Sequence, residues 1–120
     1  EKAIFMKKKF PFIDILSLNE VPQRISEFDI IINATSLGLK NGEQFNINLD
    51  GLTDKSIFID TIYNPLETKI IKHLKGKNIK TFNGLDMLIY QGQKSFYIWN
   101  KINPEIDDEL IQLLENRIKC

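Results

Sequence analysis

The sequence predicts an α/β fold: a mainly parallel sheet of about four strands, flanked by helices, with two further helices at the C-terminal end. Three observations carry this prediction. Short apolar runs at residues 12–16, 29–33, 56–60 and 79–82 alternate with segments of helical spacing, the pattern of strands joined by crossover helices. The runs at 29–33 and 56–60 are apolar without alternation, which suits strands buried on both faces. The last three runs each stop abruptly in small polar residues or glycine, at the end of the strand where open α/β sheets bind ligands.

In chain order, residues 1–7 open on a helical pattern, and the run at 12–16 comes next as a short strand. Ser17 or Asn19 can cap a helix over 20–28, where Val21, Ile25 and Phe28 share a face and Pro22 falls in the tolerant first turn. Residues 40–53 are polar, contain Gly42 and Gly51, and read as a loop. A helix over 66–75 comes after Pro65, turns Ile70, Ile71 and Leu74 inward, and stops near Gly76. The strand at 79–82 leads through Gly84 into a long helix reaching about residue 101. On it, Gly84, Met87, Gln91 and Ser95 fall along one line, and Leu85, Leu88, Ile89, Phe96 and Trp99 along a more apolar one. Asn103 and Pro104 break the chain before a closing helix whose apolar face holds Ile106, Leu110, Leu113, Leu114 and Ile118. Phe96 and Trp99 are read as core.

Composition narrows the function. The chain has 120 residues, 42% of them hydrophobic, enough for one ordinary domain or part of one. Sixteen basic and sixteen acidic residues cancel, and no basic stripe with interleaved aromatics appears, so nucleic acid is not the expected partner. No apolar run approaches the roughly twenty residues needed to cross a bilayer. The single cysteine, Cys120, leaves no internal disulfide, redox pair or metal cluster, which fits a soluble protein of the reducing cytoplasm. The first residue is Glu1, in mid-pattern and without an initiator methionine, as expected for a piece of a longer chain.

Three strand ends hold the candidate chemistry. After the first lies Asn33-Ala34-Thr35-Ser36-Leu37-Gly38, where small side chains let a flat ligand approach the backbone and hydroxyls can bond it; an ordinary turn is the plain alternative. After the second lies Asp60-Thr61-Ile62-Tyr63-Asn64-Pro65. Tyr63 offers a phenol that donates and accepts, while Asp60 reads as a turn or helix cap before it reads as a catalytic carboxylate. After the third, Gly84 and Gln91 stand two turns apart, a span over which one helix side can meet a cofactor ring and a small polar substrate; a turn glycine and an exposed amide are the alternative. His73, the only histidine, sits among lysines and reads as a surface residue. No nucleophile arrangement, metal-ligand spacing or glycine-rich phosphate loop occurs, so no catalytic or metal-binding residue is assigned.

Taken in order, the segments 33–38, 60–68 and 83–92, with Phe96 and Trp99, resemble the C-terminal part of the shikimate dehydrogenase family, and Glu1-Lys2-Ala3 resembles the stretch just after that family's Asn-Arg-Thr motif. The resemblance implies a partial Rossmann-like, doubly wound sheet, with residues 1–102 the C-terminal part of an NADP-binding domain and 103–120 a closing helix. It implies reversible NADP-dependent reduction of 3-dehydroshikimate to shikimate, in aromatic amino acid biosynthesis. By position, Thr35, Ser36, Leu37, Thr61, Gly84 and Met87 would bind the cofactor, and Tyr63 and Gln91 the substrate. A side chain at Gly84 would then clash with the nicotinamide end. The chain departs from the family by lacking the glycine-rich loop, the Asn-Arg-Thr motif and the domain with the catalytic Lys and Asp, so the isolated chain is expected to bind NADP weakly and to be inactive. A homodimer through an exposed sheet edge is expected of such a piece. A quinate-preferring relative and a non-catalytic α/β binding or interaction fragment are the alternatives.

Overall fold

The computed structural model describes residues 2–39 and 47–119. Its centre is a three-stranded parallel sheet in the order β1-β2-β3, with β1 at Ile30–Asn33, β2 at Ile57–Asp60 and β3 at Lys80–Phe82. Ile31, Phe58 and Thr81 lie side by side across it, and Asn33 is level with Asp60 at the end of the β1–β2 ladder. Helix α3, Lys69–Lys75, crosses between β2 and β3. Thr68 caps it by accepting a hydrogen bond from the Ile71 N–H at 3.4 Å, and Gly76 closes it.

Side chains alternate across a strand, and here the two sides of the sheet are filled unequally: Ile57 and Ile59 on the second side are only half-buried. Phe58, fully buried, packs with Ile25, Leu49, Leu52, Ile71, Leu74 and Ile79. On the opposite side Ile30 is 55% exposed and Ile32 57%, and Phe82, across β2 from them on the other edge strand, is also exposed. The expectation of strands buried on both faces is therefore corrected for β1. The apolar residues are there, but no described segment covers them.

The expected fourth strand at 12–16 is not formed: among the described residues these positions pair with no strand, and Phe12 is 84% exposed. Before it, α1 spans Lys2–Lys9 and buries no residue. Lys7 ties the two pieces together by donating to the Ile13 carbonyl and, at 3.1 Å, to the Asp14 carboxylate. The expected helix at 20–28 is a single turn, α2 at Val21–Arg24, continued by a 3-10 turn at Ile25–Glu27. Neither Ser17 nor Asn19 caps it. The Ser17 hydroxyl instead donates to the Glu20 carboxylate at 2.6 Å, which holds that carboxyl below its ordinary range. The loop reading for 40–53 falls partly outside the described residues; from 47 to 53 the chain is irregular, as expected.

The long helix α4 spans Leu85–Asn100, and α5 spans Asp108–Lys119. In α4 the first turns are anchored by buried Leu85 and Ile89, but Trp99 is 79% exposed and Phe96 is exposed too. The core reading of Phe96 and Trp99 is thus corrected, since the helix outruns the small sheet. In α5 the half-buried line is Ile111, Leu114 and Ile118, while Leu110 and Leu113 face outward. Gln93 donates to the Pro104 carbonyl at 2.8 Å and so fastens the connection between the two helices. Among the described residues no helix is long and apolar enough to cross a membrane.

Candidate functional site

The strands β1 and β2 end level with each other, and both chains leave the sheet on the same side as loops. Between these loops lies a cleft of about 380 Å³. Thr35, Ser36 and Leu39 line it from the first loop, and Thr61, Ile62, Tyr63 and Asn64 from the second. The two loops come together because the last residue of each apolar run is polar and buried. The Asn33 amide donates to Asp60 Oδ1 at 3.0 Å. Its oxygen accepts from the Thr35 N–H at 3.1 Å and the Thr35 hydroxyl at 2.7 Å, which folds the first loop back on the strand.

The second loop is held in the same way. Asp60 Oδ1 also accepts from the Ile62 N–H at 3.1 Å, and Oδ2 accepts from the Thr68 hydroxyl at 2.8 Å. The Thr61 N–H and hydroxyl both donate to the Asn33 carbonyl, at 3.1 and 2.9 Å. With its carboxyl group fully buried and engaged by three donors, Asp60 is held as a cap and tie between the two loops, the placement that the sequence favoured for it.

The third strand end closes on the second. The Gly84 N–H donates to the Ile62 carbonyl at 2.9 Å, and Gly84 is buried. A Cβ at this position would sit 2.1 Å from the Thr61 carbonyl oxygen. Glycine is therefore required here by backbone packing against the second loop, before any ligand is considered. Asn83 fixes the same junction, donating to the Leu66 carbonyl at 2.9 Å and accepting from the Leu85 N–H at 3.0 Å.

Of the residues singled out in the sequence, Thr35, Ser36, Thr61 and Tyr63 line one cleft. Leu37 stands behind it, half-buried, its N–H donating to the Thr35 hydroxyl at 3.2 Å. Met87 and Gln91 are exposed on α4 and do not line the cleft. His73 is exposed on α3, as expected. Cys120 lies outside the described residues. Sequence reading missed Leu39, Ile62 and Asn64 as lining residues, and missed the bond between Asn33 and Asp60. The available signal was that both buried runs terminate in a polar residue capable of bonding the other.

Chemically the walls offer hydroxyls, an amide, a phenol and two aliphatic side chains, with no charged group among them. Among the described residues no cluster of three or more His, Cys, Asp or Glu could hold a metal ion. Such a wall can seat a flat, partly polar ring and orient it. Among its lining residues the Tyr63 phenol alone is of a kind that can exchange a proton, and no His, Lys, Asp or Glu stands beside it there.

No protein-family model matches the chain. It is 48% identical over 114 residues to the shikimate dehydrogenase (NADP(+)) of Pelagibacter ubique, a match covering 95% of this chain and 42% of that protein. The chain belongs to the shikimate dehydrogenase family. Among solved structures it is similar to the shikimate dehydrogenase of Aquifex aeolicus, with a TM-score of 0.74 and 37% identity over 88% of this chain and 38% of that one. It is also similar to the shikimate 5-dehydrogenase of Listeria monocytogenes, solved with shikimate and NAD, with a TM-score of 0.71 and 30% identity over 82% of this chain and 34% of that one. The chain thus spans about two fifths, or less, of the length of the family members it matches.

Proposed function

We propose that this chain is the C-terminal part of an NADP-dependent shikimate dehydrogenase, which interconverts 3-dehydroshikimate and shikimate by hydride transfer in aromatic amino acid biosynthesis. The observation that carries the proposal is the cleft at the ends of β1 and β2. Four residues assigned by position to cofactor and substrate, Thr35, Ser36, Thr61 and Tyr63, line that one hollow. Its volume lies toward the lower end of the roughly 300–1,000 Å³ of small-molecule pockets, which suits one end of a dinucleotide better than the whole. NADP supplies the hydride donor and acceptor.

The residues of this chain bind and orient. Thr35, Ser36 and Leu37 would run along the cofactor, the Thr61 backbone would meet its nicotinamide end, and Gly84 and Met87 would frame that end. Tyr63 and Gln91 would reach the substrate. Because Met87 and Gln91 lie outside the cleft as it stands, their part depends on what the rest of the polypeptide brings against α4. The catalytic Lys and Asp that the family resemblance implies would lie in the remainder of a longer polypeptide, and this segment alone would be inactive.

The same reading accounts for the open flanks. Longer relatives supply further chain, and in the whole protein that chain would cover the outward side of β1 with Ile30 and Ile32. Expressed alone, the segment would pair through the free β1 edge with a second copy. The balanced charge favours a small-molecule partner over nucleic acid or a membrane surface, and the single cysteine suits the reducing cytoplasm.

The test is a nicotinamide-reduction assay with shikimate or quinate, on the segment and on the longer polypeptide that contains it. Reduction of NADP⁺ by shikimate with the longer polypeptide alone is expected. Reduction with quinate only would make it a quinate-preferring relative, and no reduction with either would make it a non-catalytic binding fragment.

A further inference from the structure

Asn33, Asp60 and Thr68 are three buried polar side chains, and together they carry more hydrogen bonds than sheet and helix formation requires. The ladder already aligns β1 with β2 as far as the Asn33–Asp60 pair. The side-chain bonds begin where that ladder stops, and every one of them reaches a loop that lines the cleft or its far anchor. Asn33 holds Thr35 and, through its amide at 3.3 Å, the Leu37 carbonyl. Asp60 holds Ile62 at the start of the second loop and Thr68 at its end, and Thr68 is fastened to α3 through the Ile71 N–H.

The partners of the Asp60 carboxylate are an amide, a backbone N–H and a hydroxyl, not a cation. Burying a carboxylate in this way is unfavourable compared with an apolar residue of similar size. What the arrangement gains is geometry: one carboxylate fixes both ends of the 61–68 loop and, through Asn33, its distance from the 34–39 loop.

We propose that Asn33, Asp60 and Thr68 form a positioning bridge that sets the separation of the two cleft loops, and so the affinity for the dinucleotide, without touching either ligand. The proposal rests on the dehydrogenase reading of the cleft for its kinetic consequence, but not for the bridge itself. In the longer polypeptide, Thr68→Val removes the hydroxyl while keeping the shape. The expected result is a rise of about tenfold in KM for NADP⁺, the weight of one or two hydrogen bonds, with kcat changed by less than about twofold. Thr68→Ser should restore KM. A lowered melting temperature with KM unchanged would reduce the bridge to a structural role and overturn the proposal.

A second measurement needs no ligand. In Thr68→Val, or in Asp60→Asn if that variant folds better, amide hydrogen exchange should quicken at both Thr35 and Ile62, the N–H groups held by Asn33 and Asp60. Faster exchange confined to the start of α3 would overturn the bridge. If the unaltered longer polypeptide reduces no dinucleotide, the dehydrogenase reading falls, and the exchange result still decides whether the bridge exists.

Discussion

The cleft rim and the outer flanks both contain large apolar side chains, yet these end in opposite states. Around the cleft, β2, α3 and the loops after β1 and β2 bury Phe58, Leu74, Asp60 and Thr68 almost completely, and satisfy the polar groups among them. On the flanks, Ile30, Ile32, Trp99 and the apolar residues of α1 lie open to solvent. The difference teaches that the chain packs itself fully around the cleft and leaves apolar side chains open on its flanks. A family member spanning about two fifths of its relatives' length should look like this.

The comparison can be broken most forcefully at its centre. In the isolated segment, Phe58→Ala should cost about 3–5 kcal/mol in urea denaturation, the usual loss for a buried aromatic, whereas Trp99→Ala should stay within about 0.5 kcal/mol. Equal losses would erase the distinction between rim and flank. In the longer polypeptide the Trp99→Ala cost should grow if that flank becomes covered. Next in size is Gly84→Ala. With a backbone carbonyl 2.1 Å from the new methyl group, a loss of about 3 kcal/mol is expected from overpacking, in both the segment and the longer polypeptide. The smallest effect has the opposite sign: Gly92→Ala, within α4 and with nothing within 4 Å of its Cβ position, should stabilise by about 0.5–1 kcal/mol. A calorimetric melting scan of the two glycine variants would reveal any deviation from this pairing.

Much of the rim was legible in the sequence. Apolar runs ending in Asn33, Asp60 and Phe82 gave the three strands, and the small polar residues beyond the first two gave the cleft walls. The stop at Gly76 and the long helix after Gly84 could be read from glycine placement. What could not be read depended on partners. The run at 12–16 has the composition of a strand but no neighbour to pair with, and Trp99 has the character of a core residue but no core within reach. Periodicity reports what a residue could bury, not whether anything is present to bury it. The role of Gly84 was half legible: the sequence marked a close approach, and the structure identified the approaching group as the Thr61 carbonyl. The bond between Asn33 and Asp60 required the register of two strands 27 residues apart, which no local pattern contains.

The most direct test is a chemical-shift titration of the longer polypeptide with NADP⁺, monitored at the backbone amides. Thr35, Ser36 and Thr61 should shift together, with a common dissociation constant, while His73 and the residues of α5 stay still. Shifts that leave these three unmoved and gather elsewhere on the surface would contradict the assignment of this hollow to the cofactor.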